Sequence, residues 1–323
     1  MRSTAVAFTI LLVLAAACQR ADEAIEASTS EIEFESVDLP GRLWDPLAPD
    51  IASGQAVVLQ ARLSIPAAND PVPAVIIAHG CGGVSAVETD WSDELAAAGI
   101  STLVVDSFSG RRIGQICSGA ETINVLSSVI DVFRAAEVLR DDPRIDESRI
   151  AVMGLSFGGR AALWSAYERF IELYDGREFA AHIAFYPSTC YIELADETTS
   201  RAPIRLFHGT DDDWTPIDQC RDMAERLSSE GADIELFEYQ GAAHGFDNRS
   251  LGWSSYHYFP SALSPRNCSF VERDGQIVEA VTGLAASSRS DCVDTGVTVS
   301  FDRAAREAAA DDLLTLLTDV LQP

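Results

Sequence analysis

Two short stretches carry the residues of this chain best suited to chemistry: Gly154-Leu155-Ser156-Phe157-Gly158 and Ala243-His244-Gly245. A serine hydroxyl is a weak nucleophile at neutral pH and needs a base to take its proton. Imidazole, with an ordinary pKa of about 6.5, fits that role. The base in turn needs a carboxylate that orients it and stabilises its charged form. Asp211, Asp212 and Asp213 compete for this position, and residue type leaves open which of them serves. The reaction also needs donors for a developing oxyanion. The backbone N–H of Phe157, directly after the serine, is one candidate, and that of Cys81 in His79-Gly80-Cys81-Gly82-Gly83 is the other. The chemistry is acyl transfer: Ser156 attacks a carbonyl and His244 carries the proton. The chain holds five histidines. His79 and His208 each precede a glycine at a strand end and read as structural, while His182 falls within a strand and His257 in a later segment, neither with a partner motif.

These residues can meet only if the fold presents them together, and the flanking pattern says how. Ser156 follows the apolar run Arg149–Met153 and precedes a helical stretch, which is the setting of a nucleophile elbow between strand and helix. The loop at 79–83 follows the apolar run Ala74–Ala78. The aspartates follow Pro203–Phe207, and His244 follows the run at 233–239. The order of oxyanion loop, serine, acid and histidine is that of an α/β-hydrolase and differs from that of the chymotrypsin and subtilisin families. Along the chain, residues 31–39 and 56–65 alternate as an antiparallel edge pair. Strands at 73–78, 101–106, 149–155, 179–186, 203–208 and 233–239 then alternate with helices at 90–98, 120–140, 157–174 and 218–231. This predicts a doubly wound, mostly parallel sheet flanked by helices, with its site at the carboxyl ends of the strands. Helix 120–140 carries Ile123, Leu126, Val129, Ile130, Phe133, Ala136 and Val138 at helical spacing and serves packing. Residues 248–300 break the pattern with aromatics, two cysteines and a hairpin at 270–278, and form an insertion beside the site. An amphipathic helix at 303–321 closes the chain.

Composition narrows the function. The chain has 323 residues, 47% of them apolar, and a formal charge of −27, which argues against nucleic acid or an anionic membrane as partner. It contains no lysine, which excludes Schiff-base catalysis and a Walker-type phosphate loop. Residues 1–17 read as a signal peptide: Arg2, an apolar run from Ala5 to Ala17, and small residues before Cys18. Cys18 is a possible lipidation site, which would place the protein in the periplasm or anchor it by lipid to the cell envelope. Residues 18–30 read as a flexible tether and 31–323 as one hydrolase domain. Six further cysteines in an exported chain point to disulfides, with the connectivity open from spacing alone. No metal-ligand spacing occurs, and neither metal nor organic cofactor is expected.

Taken jointly, the segments at 79–83, Val105-Asp106-Ser107-Phe108, 154–159, Phe185-Tyr186-Pro187, His208 to Pro216 and Ala243 to Asp247 resemble the dienelactone hydrolase family of α/β-hydrolases. The resemblance implies Asp212 as the acid, three residues after Gly209 and four before Pro216, with Ser156 as nucleophile and His244 as base. It implies a small-molecule ester or lactone as substrate. An α/β-hydrolase sheet would also bring together Cys81 with Cys117 and Cys190 with Cys220, while Cys268 and Cys292 share the insertion. The founding enzymes use Cys as nucleophile with a Glu just before the oxyanion donor. Ser156 and Gly80 stand at those positions here, so the resemblance is to the broader esterase-type members. A prolyl-oligopeptidase-type peptidase is the rival enzyme reading, and a non-catalytic envelope binding lipoprotein the rival outside enzymes.

Overall fold

Runs of β-branched and aliphatic residues too short for helices become the strands of one large sheet. The structure, a computed structural model, describes residues 25–41, 53–119, 123–174, 177–252 and 256–322. Strands β1 (Ser28–Asp38), β2 (Gln55–Ile65), β3 (Val72–Ala78), β4 (Ser101–Asp106), β5 (Ile145–Leu155), β6 (His182–Phe185), β8 (Ile204–Gly209) and β9 (Ile234–Tyr239) lie in the order β1-β2-β4-β3-β5-β6-β8-β9. β1, β2 and β4 pair antiparallel, and every pair from β4 to β9 is parallel. The expected doubly wound sheet, with its antiparallel edge pair, is the one found.

Side-chain alternation along β3 feeds two cores. Val75 and Ile77 pack with Trp91 and Leu95 of α1 (Ala86–Ala97) and with Leu313 and Leu317 of α6 (Arg303–Val320). Ala74 and Ile76 face α2 (Val125–Arg140), α3 (Phe157–Trp164) and α5 (Ile217–Ser229) through residues such as Phe133, Ala161 and Leu227. Strands apolar on both faces read as continuous hydrophobic runs for this reason. α1 starts earlier than its apolar spacing indicates, because Ser85 and Glu88 form a capping box at its first turn.

Besides the later start of α2 at Val125 and the earlier start of β5 at Ile145, two elements differ from the sequence reading. The stretch expected as one helix over 157–174 is broken into α3 and α4 (Glu168–Leu173). The backbone between them turns to another loop, with Ser200 N–H donating to Ala166 O at 2.8 Å and Glu168 N–H to Thr198 O at 2.8 Å. The tether expected over 18–30 ends sooner: Ile25 pairs with Ala68, and β1 begins at Ser28, because the polar alternation there fits an exposed edge strand. The signal peptide, Cys18 and the rest of that tether lie outside the described residues.

Between β9 and α6 the insertion builds two small sheets. β10 (His257–Ser264) pairs antiparallel with β13 (Asp294–Val299). β11 (Phe270–Arg273) and β12 (Gln276–Glu279) form the expected hairpin, and β11 also runs parallel to the short β7 (Ile192–Glu193). Disulfides join Cys81 to Cys117, Cys190 to Cys220 and Cys268 to Cys292, the pairing that the fold resemblance implied.

Candidate active site

Ser156 sits at the turn from β5 into α3 with φ 54° and ψ −105°, a backbone conformation that costs energy for any residue with a Cβ. The glycines around it make the turn possible. A Cβ on Gly154 would stand 2.0 Å from Gly158 O, and one on Gly158 would stand 2.2 Å from Ala78 O. The helix is thus pressed against the ends of β3 and β5, and the hydroxyl is lifted to the edge of the sheet.

Asp212 and His244 reach the serine from the neighbouring strand ends. A Cβ on Gly209 would meet Ala242 O at 2.2 Å, so the turn after β8 and the loop after β9 pack backbone to backbone. Asp211 N–H donates to Ala242 O at 2.9 Å and Gly241 N–H to Thr210 Oγ1 at 2.8 Å, which holds the two loops in register. His244 Nε2 then lies 3.0 Å from Ser156 Oγ, and its Nδ1 lies 2.7 Å from Asp212 Oδ2. The three side chains expected from sequence are thereby brought into one relay. All are buried: Ser156 is 7% exposed, Asp212 5% and His244 4%.

Asp212 is held on every side. Its Oδ1 accepts from the N–H groups of Trp214 and Thr215, each at 2.8 Å, and its Oδ2 accepts from Thr215 Oγ1 at 3.0 Å. Burial pushes this carboxyl up. The imidazole of His244, its hydrogen bond, His208 and the Thr215 N–H outweigh burial and hold the group below the ordinary carboxylate range. His208 stands 4.0 Å from Asp212 Oδ2 with its Nδ1 3.1 Å from Gly209 O, and burial lowers its pKa, so it is a neutral structural histidine. His79 is structural too, with Nδ1 2.7 Å from Gly80 O and Nε2 accepting from Ser107 N–H at 3.1 Å.

The His244 ring lies between Tyr186 and Trp214, with ring centroids 4.5 and 4.8 Å away. Tyr186 donates to Asp247 Oδ1 at 2.7 Å, and Trp91 Nε1–H donates to Asp247 Oδ2 at 2.7 Å. Burial, then the Asp247 charge, push the Tyr186 hydroxyl well above its ordinary pKa, so it stays a donor. Tyr186, Trp214, Thr215 and Asp247 lie inside the motifs quoted above and Trp91 lies outside them, on α1, and nothing in their types or spacing marked them as partners of the base. Asp213, one of the three competing aspartates, accepts from Thr298 N–H at 2.8 Å and ties the insertion to the site.

The loop at 79–83 runs against Ser156, since a Cβ on Gly80 would lie 3.8 Å from Ser156 Cβ. Phe157 opens α3, where N–H groups have no acceptor within the helix. The Cys81–Cys117 bond and the bond from Ile116 N–H to Cys81 O, 2.9 Å, brace this loop from the side. A cavity of about 510 Å³ opens over Ser156 and His244, and the insertion supplies one wall through Phe259, Ser261, Ala262 and Val299. Of the insertion aromatics, Phe259 lines the cavity, Tyr256 and Tyr258 are exposed, and Trp253 lies outside the described residues.

A nucleophile elbow, a carboxylate–imidazole–hydroxyl relay and a mostly parallel sheet define an α/β-hydrolase. Residues 59–264 match the model of the dienelactone hydrolase family, and the chain belongs to that family, hydrolases acting on ester bonds. Similar proteins include one of Bradyrhizobium sp named as a probable 2-oxo-3-(5-oxofuran-2-ylidene)propanoate lactonase, 27% identical over 198 residues, which are 58% of this chain and 78% of that one. Among solved structures, a putative dienelactone hydrolase from Klebsiella pneumoniae aligns over 90% of this chain and 99% of its own, with TM-score 0.54 and 15% identity. A dienelactone hydrolase-like promiscuous phosphotriesterase from metagenomic libraries aligns over 91% and 99%, with TM-score 0.52 and 13% identity. At these identities the structural likeness concerns the fold.

Proposed function

We propose that this protein is a serine hydrolase that cleaves carboxylic ester or lactone bonds through an acyl-enzyme. The observation that carries the reading is the relay from Ser156 Oγ through His244 to Asp212, at 3.0 and 2.7 Å, with Ser156 and His244 lining the cavity. Ser156 Oγ attacks the carbonyl carbon while His244 Nε2 takes its proton. Asp212, acceptor for Nδ1–H, fixes the tautomer and stabilises the imidazolium. The N–H groups of Cys81 and Phe157 receive the oxyanion. Collapse expels the alcohol, which takes the proton from His244. Water, deprotonated by His244 in turn, then attacks the acyl-enzyme and releases the acid. Membership of the family and the lactonase named above support an ester or lactone as substrate. The test is hydrolysis of p-nitrophenyl esters and small lactones by the wild type and Ser156→Ala, with a fluorophosphonate probe on both. Activity and labelling lost together in the variant support the reading, and equal rates in both proteins overturn it.

We further propose that the chain is exported, released by cleavage before Cys18 or held there by lipid. Three disulfides support an oxidising compartment. The mass of the mature N-terminus separates the free, lipidated and uncleaved forms.

A further inference from the structure

The cavity over Ser156 has a charge pattern that bears on what it admits. Glu88, on the first turn of α1, is 1% exposed and lines this cavity. Its Oε2 accepts from both Ser85 N–H and Ser85 Oγ at 2.8 Å, while Oε1 has only a long contact of 3.4 Å from Gly80 N–H. Gly80 adjoins the oxyanion donor Cys81 and packs against Ser156. A carboxylate is therefore fixed one residue away from the reacting atoms.

Among the described residues, no lysine or arginine offsets it on the cavity wall. The chain contains no lysine, and no arginine is among the described residues that line the cavity. Arginines near lining residues in sequence are directed elsewhere: Arg249 toward Glu94 at 3.4 Å, Arg160 toward Ser188 O at 2.9 Å, and Arg266 toward the carbonyls of Asp213 and Gly296 at 3.1 and 2.7 Å, while Arg112, three residues before Gln115, is exposed and is not part of the wall. The other walls are largely apolar, with Val87, Leu155, Trp214, Leu251, Phe259 and Val299 facing the space. A substrate carboxylate entering here would lose water, meet a like charge and find no cationic partner, and each of these raises its free energy.

We propose that this site selects neutral, apolar esters or lactones and discriminates against substrates that carry a carboxylate, with Glu88 as the residue that sets the discrimination. The inference rests on the reading of Ser156 as the nucleophile. Glu88 is a specificity residue, since its charge acts on the substrate's substituent and it takes no part in bond making.

A matched pair of esters tests it: p-nitrophenyl butyrate, which is neutral, and mono-p-nitrophenyl succinate, which has the same leaving group and a carboxylate at the far end of the acyl chain. Salt of about 0.5 M shortens the Debye length to a few ångströms, so that the charge of −27 on the whole chain does not imitate a local effect. The wild type should favour the butyrate by about tenfold or more in kcat/KM. Glu88→Gln, which retains a capping-box side chain, should narrow that ratio several-fold. Ser261→Arg, at an exposed lining position, should raise turnover of the succinate relative to the butyrate with Glu88 intact, and it carries the test if the first variant does not fold. Equal kcat/KM for the two esters in the wild type, or a ratio that neither variant moves, overturns the inference. No turnover of either ester together with no fluorophosphonate labelling of Ser156 overturns the hydrolase reading instead, and the inference falls with it.

Discussion

The strand ends and the insertion meet at one cavity but are held there by different forces. At the strand ends, parallel ladders, two apolar cores and backbone contacts that only glycine permits leave the reacting side chains almost no exposure. The insertion leaves Tyr256 73%, Tyr258 65% and Phe259 45% exposed. It is moored to the acid turn by a few polar ties: Asp213 to Thr298 N–H at 2.8 Å, Trp214 Nε1–H to Leu263 O at 2.9 Å, and Ser264 Oγ to Trp214 O at 2.8 Å. Neighbouring residues of one turn thus divide the work, since Asp212 stands 2.7 Å from His244 Nδ1 and Asp213 holds the wall. Reaction geometry depends on a cooperative core, whereas the cavity wall adds single polar ties to an insertion that is itself anchored in the main core by Phe270 and Ile277.

If that division holds, variants on the two sides should differ in kind as well as in size. Ser156→Ala should lower kcat by roughly 10⁴-fold or more while leaving the unfolding midpoint close to that of the wild type, measured by ester hydrolysis and denaturant titration. Asp212→Asn should follow, with a loss on the order of 10³- to 10⁴-fold, because the amide presents a donor to His244 Nδ1 and favours the wrong tautomer. A normal rate in this variant would show that another carboxylate orients the base.

Acid sensitivity should belong to the sheet. His182, fully buried on β6 with Nδ1 2.9 Å from Ser165 Oγ, has its pKa pushed down to about 4, chiefly by burial. The unfolded chain binds this proton below about 6.5 and the folded one only below about 4, so stability falls as pH drops through that window and is regained as pH rises. The loss attributable to this group is on the order of 3 kcal/mol. Guanidinium midpoints between pH 7 and pH 4.5 should show it, and His182→Gln should flatten the slope. An unchanged slope in the variant would assign the acid lability to other groups.

The smallest effect falls on the mooring. Asp213→Ala should raise KM several-fold with kcat within about threefold of the wild type, and cost about 1 kcal/mol in stability. A fall in kcat like that of Asp212→Asn would show that the insertion takes part in aligning the relay.

Much of this was legible in the chain because it follows from local physics. The apolar runs before residue 79, before Ser156 and before His208 have the length and composition of buried parallel strands. Gly154 and Gly158 bracket the serine because no side chain fits there. The break between α3 and α4 was not legible, since Ala166 and Glu168 leave the helix for acceptors and donors some thirty residues away in the loop at 198–200. Nor was the start of β1 at Ser28, because Ser, Thr and Glu compose an edge strand as readily as a tether. The supports of His244 were hidden for a related reason: Trp91, Tyr186 and Asp247 lie on three separate elements, and no spacing links them.

Residue order and periodicity were enough to determine the strand and helix alternation, the elbow at Ser156 and the candidate serine and base, with the acid left open among Asp211, Asp212 and Asp213, since each depends on neighbours in sequence. Only the tertiary structure decided that Asp212 faces His244 at 2.7 Å while Asp213 holds β13, and that Glu88 lines the cavity over Ser156. It also decided that the insertion forms one of the walls. Those facts depend on where chain segments cross, and the crossing is set by packing of the whole sheet, to which no short stretch of sequence responds alone.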